Sequence, residues 1–281
     1  MKTDKNAASG RRPFDAISGS EKSRIYGFVA PIAVTIAIFV LWSLATNNLH
    51  ISPYLLPSPE SILRRMVRDW RTLAQETGYT LISVMLGFAI SVLIGVPVAL
   101  LVVANRSFER VLMPVVVMSQ TIPKVAIAPI LIIWLGFGIL PKVAITFLIA
   151  VFPIVVSTAV GLKSVETDMI DLVRSMGANQ LNLLLRVRMP TALPHMFAGL
   201  KIAICLAVVG AIVGEFVGSD NGLGYLILVS AGSLDGPMTW AALVVLVVMG
   251  VLLFAIVGWI EQWVIPWHVS IRATDATQYQ H

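Results

Sequence analysis

Six stretches of the chain are long, apolar and poor in charge: Ile25 to Thr46, Thr80 to Ala104, Val111 to Leu135, Leu140 to Leu162, Phe197 to Val217 and Pro237 to Trp263. A helix rises about 1.5 Å per residue, so each run is long enough to cross a hydrocarbon layer roughly 30 Å thick. The pattern predicts an all-α membrane protein with six transmembrane helices and both termini on one side. The first run exceeds the apolar core of a secretory leader, about 7–15 residues. It is expected to remain in the mature chain, although Ser43 and Ala45 mimic a cleavage site. Pro114, Pro123, Pro129 and Pro153 interrupt the third and fourth runs. A membrane helix tolerates such breaks only where freed carbonyls meet protein or a wet cavity, which predicts these helices inside the bundle.

Two segments outside the runs have helical periodicity of their own. In residues 58–76, Ile62, Leu63, Met66, Val67, Trp70 and Leu73 recur beside Arg64, Arg65, Arg68 and Arg71. That pattern predicts an amphipathic helix lying flat in the membrane interface. The other segment is the connection 161–198, far longer than most of the others. Glu166, Asp168 and Asp171 come early and Arg174 late, which suits the dipole of a helix from Val165 to Met176, and Gly177 can end it in a left-handed cap. Asn179 then caps a second short helix, expected to stop at about Met189, before Pro190. The resulting elbow is expected to expose Leu181, Leu183, Leu184 and Leu185 outside the bilayer. So apolar a surface needs a partner.

Composition agrees with the runs. Hydrophobic residues make up 57% of the 281 and charged residues only 12%, with a mean hydropathy of +0.87, too little polar surface for a soluble globule of this size. The net charge of +5 matters through its placement: with the N-terminus inside, fourteen basic residues fall in inner segments and five in outer ones. That distribution supports an N-in, C-in topology, against which only the four arginines of 58–76 and Lys142 stand. The division expected is a disordered inner tail (1–24), a transmembrane domain (25–267) and a second inner tail (268–281). The one cysteine, Cys205, allows no disulfide framework and reads as a small core residue. His50, His195, His268 and His281 are scattered without metal-ligand spacing, so no metal and no cofactor are expected.

Two ionisable residues fall within the runs and invite a functional reading. Lys124 follows Pro123 near mid-membrane, just past Ser119, Gln120 and Thr121. It is a candidate for the solute pathway, admitting an anion; the competing reading is a purely structural charge that pairs with Glu215 or snorkels. Glu215, near the end of the fifth run, is open between pathway lining, gate and helix anchor. Gly222 and Gly224 are too little for a phosphate loop and read as an outer turn. No G-x-x-x-x-G-K-[ST], G-x-S-x-G or H-E-x-x-H sequence occurs, so the chain is expected neither to hydrolyse ATP itself nor to act as an intramembrane hydrolase. An ion-gradient-driven secondary transporter is the alternative, with Glu215 as the one well-placed coupling carboxylate.

Asp171-Leu172-Val173, then Gly177, then Val187-Arg188-Met189-Pro190 resembles the loop signature of binding-protein-dependent ABC transporter permeases: Glu-Ala-Ala, three residues, Gly, nine residues, Ile-x-Leu-Pro. The interval from Gly177 to Pro190 matches, while Asp, Leu-Val, Val and Met replace the family's residues with similar ones. Leu56-Pro57-Ser58-Pro59, the stretch Ile122 to Pro129 with Trp134 to Gly138, and Gly214 to Val217 with Gly222 to Tyr225 are similar to the subgroup for sulfonates, taurine, nitrate, bicarbonate and thiamine precursors. The resemblance covers about Leu56 to Trp267. It implies the type I ABC importer permease fold and a place in the bacterial inner (plasma) membrane. It also implies a complex of two permease copies, expected as a homodimer, two ABC ATPase subunits and a solute-binding protein, importing a small anion or vitamin precursor; nucleic acid is not an expected partner. By this resemblance the ATPase-coupling residues are Asp171, Gly177, Leu181, Leu184 and Pro190; Gln120, Lys124 and Glu215, by their place within the runs, are the pathway candidates.

Overall fold

A computed structural model describes residues 54–267 and, ahead of them, residues 34, 37, 38, 40–46 and 52. The expected tails 1–24 and 268–281, and most of the first run, lie outside these residues. The described chain is helical almost throughout. Helical residues 40–46 (α1) are followed by α2 (Pro59–Arg68), α3 (Trp70–Ala104), α4 (Arg106–Thr121), α5 (Lys124–Leu135), α6 (Ile139–Lys163), α7 (Thr167–Ser175) and α8 (Gln180–Leu183). A π-helical turn at Leu184–Arg188 leads into α9 (Met189–Gly218), then α10 (Leu223–Gly232) and α11 (Gly236–Val264). Four helices are long and apolar enough to cross a membrane: α3, α6, the stretch Gln180–Gly218 and α11. The α4–α5 pair, bent by 95° at its joint, brings the number to five if the pair is counted as one broken span.

The centre of the molecule is α6 packed on α9, with α3 against α6. Apolar side chains gain little by leaving lipid for another helix, so close backbone approach through small residues holds such helices together. Gly210, Gly214 and Gly218 recur every fourth residue along α9. A Cβ on Gly210 would lie 2.7 Å from the Cα of Thr146, and one on Gly87 of α3 would lie 2.4 Å from the Thr146 Cβ. Thr146 is therefore the point where three helices meet, and its hydroxyl is spent locally, donating to the Lys142 carbonyl at 2.8 Å. At one end of the bundle the tilted rings of Trp42 and Trp240, 5.4 Å apart, bring α1 to the start of α11.

Several boundaries differ from the periodicity reading. The helix expected over 58–76 ends at Arg68, and Trp70 to Glu76 are instead the opening turns of α3. The two helices part at Asp69, which leaves helical geometry at φ −108° and ψ 28°; Arg65 pairs with Asp69 and with Asp235 across the bundle. The third run divides at Ile122-Pro123, and α4 is largely exposed on this chain, not enclosed as its prolines suggested; α6, by contrast, is extensively buried. The helix expected to stop before Pro190 continues through the π turn into α9. Proline lacks an N–H and crowds the carbonyl four residues back, and the widened turn absorbs both defects. Cys205 is exposed on α9 and is not part of the core. The short apolar helix α10 was hidden in the outer turn because ten residues are too few to register as a span.

Candidate functional site

At one end of the bundle, α7 and α8 form an elbow. Gly177, at φ 83°, terminates α7 with its N–H on the Arg174 carbonyl at 2.9 Å, and the next N–H, of Ala178, reaches the Val173 carbonyl at 3.3 Å. That pair of bonds satisfies the last carbonyls of α7 and reverses the chain. Asn179 then caps α8, its Oδ1 accepting from the Asn182 N–H at 2.8 Å. Both turn signals stand where the sequence placed them.

The leucines of the elbow divide in a way periodicity did not show. Leu183 is only 1% exposed and lines, with Val103 and Ala104 at the end of α3, a cavity of about 350 Å³ that Leu184 and Arg188 also border. Leu183 thus anchors the elbow to the bundle, contrary to the expected exposure, and Leu184 is half-buried. The outward surface belongs to Met169, Leu172, Met176, Leu181 and Leu185, with Met176 the barest at 79%. Asp171 is exposed and approaches Arg174 at 3.8 Å. Pro190 sits in the first turn of α9, half-buried. An ion pair from Lys163 to Glu109 ties the ends of α6 and α4 beside the elbow, and another joins Lys201 on α9 to Glu261 on α11.

At the break between α4 and α5, Lys124 donates to the Gln120 Oε1 at 3.0 Å. Ser119, Gln120 and Thr121 are exposed, so one cation, one amide and two hydroxyls share a bent mid-span segment. Glu215 does not join them, and the Lys124–Glu215 pair considered from the sequence is absent.

Glu215 belongs to a buried polar knot at the end of the bundle opposite the elbow. Its Oε1 accepts from the Thr80 hydroxyl at 2.8 Å and its Oε2 from the Gly224 N–H at 2.7 Å. The Leu223 N–H donates to the Thr80 oxygen at 2.8 Å, and the Gly222 N–H to Glu76 at 2.5 Å. Lys142, 3% exposed, donates to the side-chain and backbone oxygens of Asn221 at 2.6 and 3.2 Å. The two glycines have a steric reason: a Cβ on Gly222, where φ is 107°, would stand 2.3 Å from the Glu215 Oε1, and one on Gly224 2.9 Å from Oε2. The turn therefore spends its three successive N–H groups on three acceptors, Glu76, the Thr80 oxygen and Glu215, and its two glycines leave room for the Glu215 carboxylate. Glu76, Thr80 and Lys142 were missed as members. The only hint lay in Lys142, a charge two residues into a run whose partners are far along the chain.

Residues 91–266 match the family described as binding-protein-dependent transport system inner membrane component. The chain belongs to that family. Among permeases of known role, it is 38% identical to the formylaminopyrimidine transport permease protein of Halalkalibacterium halodurans, over 87% of this chain and 98% of that one. It is 34% identical to the riboflavin transport system permease protein of Chloroflexus aurantiacus (83% and 88% covered) and 26% identical to the taurine transport system permease protein of Escherichia coli (85% and 89%). Among solved structures, an inward-facing form of the MetNI methionine ABC transporter superposes with a TM-score of 0.54 at 25% identity, covering 73% of this chain and 98% of that one. The protein is thus a multi-pass membrane component of an ABC transport system with the type I importer permease fold. It is a transport component and not an enzyme.

Proposed function

We propose that this permease imports a small solute handed over by a solute-binding protein, working as a homodimer of six-span subunits, N-in and C-in, driven by two ATPase subunits at the elbow. The observation that carries the reading is the apolar outer face of 164–188. Met169, Leu172, Met176, Leu181 and Leu185 are exposed on a capped, ordered elbow whose inner side is anchored by Leu183. A bare apolar face on a rigid support is suited to a groove on another protein. Asp171, Gly177, Leu184 and Pro190 serve it as rim charge, turn, inner packing and hinge into α9. Movement of the ATPase would then pass through the π turn directly into α9, the helix at the centre of the bundle.

Ser119, Gln120, Thr121 and Lys124 are assigned to the solute pathway, where they suit an anionic or carbonyl-bearing small molecule; sulfonates, nitrate and heterocyclic vitamin precursors are all of that class. Glu215 is assigned to anchoring. The test is to replace Leu172 and Leu181 together by Asp, both being exposed, and to follow co-purification of the ATPase. Loss of the ATPase with an unchanged melting temperature is expected; full retention with intact ATP-driven uptake would overturn the assignment. Lys124→Gln should lower uptake several-fold while the ATPase stays bound.

A further inference from the structure

We propose that α2 is a binding element for anionic phospholipid, the cleft beside it holding the phosphate and its outer apolar strip contacting acyl chains. This deepens the interfacial reading of the segment and rests on the proposed topology only for the leaflet concerned.

Successive strips run along α2, each with a different environment. Ile62 and Met66 turn into the core. Arg65 pins the helix to the bundle, its Nη2 2.6 Å from Asp235 Oδ2 at the cap of α11 and its Nε 3.1 Å from Asp69. Leu63 and Val67 point outward, 62% and 75% exposed, and Trp70 is exposed just beyond the break. Arg64 and Arg68, each one residue further round the helix, form the adjoining strip, and Arg71 lies 5.6 Å from the Trp70 ring. A cleft of about 300 Å³ opens along this side, lined by three arginines (Arg64, Arg65, Arg68), two acids (Glu60, Asp235) and Ser61 among others. Arg64 is paired with Glu60 and Arg65 with Asp235, while Arg68 has no acidic partner among the described residues.

A single exposed leucine needs no explanation, but an apolar strip beside a basic one on a helix fixed at the end of a membrane bundle matches the layering of an interface. Guanidinium groups pair with phosphate oxygens two at a time, which suits the cleft to a phosphodiester. An acidic protein surface would satisfy the arginines and leave Leu63 and Val67 in water, so lipid is the occupant that accounts for both strips. It also bears on four arginines on the side where bases are ordinarily sparse: Glu60, Asp69 and Asp235 offset Arg64 and Arg65, and lipid phosphate would offset Arg68 and Arg71.

The experiment is native mass spectrometry of the permease–ATPase complex released from mixed phosphatidylcholine and phosphatidylglycerol bilayers, counting lipids retained per permease chain. Arg64→Gln with Arg68→Gln should lower phosphatidylglycerol retention roughly tenfold or more and leave phosphatidylcholine unchanged. Leu63→Ser with Val67→Ser should also lower it, with all charges in place. Both pairs lie on exposed faces and spare Arg65, and a melting curve verifies the fold. Equal phosphatidylglycerol retention by wild type and the arginine variant overturns the proposal, as does unchanged lipid retention with loss of binding-protein-stimulated ATP hydrolysis, which makes α2 a protein dock. Absence of the ATPase from the wild-type complex would instead sink the coupling reading of the elbow, and the lipid count per permease chain would still be read.

Discussion

The two ends of the bundle handle their exceptional residues in opposite ways. At the Glu215 end, charged and polar groups that a membrane interior rejects are buried and bonded to one another, with Thr80, Gly222, Leu223 and Gly224 supplying donors from two other elements. At the elbow, apolar groups that water rejects are left bare on α7 and α8. The first end is complete within one chain, and its job is to hold α3, α9 and α10 in register. The second end is incomplete, and a partner finishes it. A buried charge is a stability element because removing its donors is costly, whereas an exposed apolar face on a rigid turn adds little to stability and is free to serve binding.

The sharpest way to break this contrast is at the carboxylate. Glu215→Ala leaves the Thr80 hydroxyl and the Gly224 N–H without their acceptor and, at about 1–3 kcal/mol for each buried unsatisfied donor, should lower unfolding free energy by about 2–5 kcal/mol, read from thermal melts in detergent. Gly222→Ala should come next. The new Cβ meets the Glu215 carboxylate, and the left-handed backbone adds strain, for a loss of about 1–3 kcal/mol in the same melts. The smallest effect on stability is expected at the elbow: Met176→Glu, on an exposed side chain, should shift unfolding by no more than about 0.5 kcal/mol while weakening ATPase co-purification. If Met176→Glu destabilised the chain as much as Glu215→Ala, the proposed difference between the two ends would be wrong.

Much of the architecture was legible from periodicity. Hydropathy measures transfer into lipid, so α6, α11 and the long stretches of α3 and α9 stand out whatever they pack against. The Gly177 turn and the Asn179 cap were legible because their chemistry is local. What did not show was non-local or cooperative. Leu183 and Leu185 are two residues apart and equally apolar, yet the packing of the folded bundle covers the former at 1% exposure and leaves the latter at 55%. Gly222 and Gly224 looked like an ordinary turn because the side chain that leaves no room for a Cβ at either, Glu215, arrives from another helix. Pro190 suggested a stop because proline usually is one, and the π turn that carries the helix past it has no sequence mark.

The central claim, that the elbow is where the ATPase attaches, can be measured without knowing the solute. In a Cys205→Ser background, Met176→Cys places the one thiol of the chain at the barest apolar position of the elbow. Its rate of reaction with a membrane-impermeant maleimide should fall at least tenfold when the ATPase subunit is added to the purified permease. An unchanged rate in a complex that demonstrably contains the ATPase would contradict the claim.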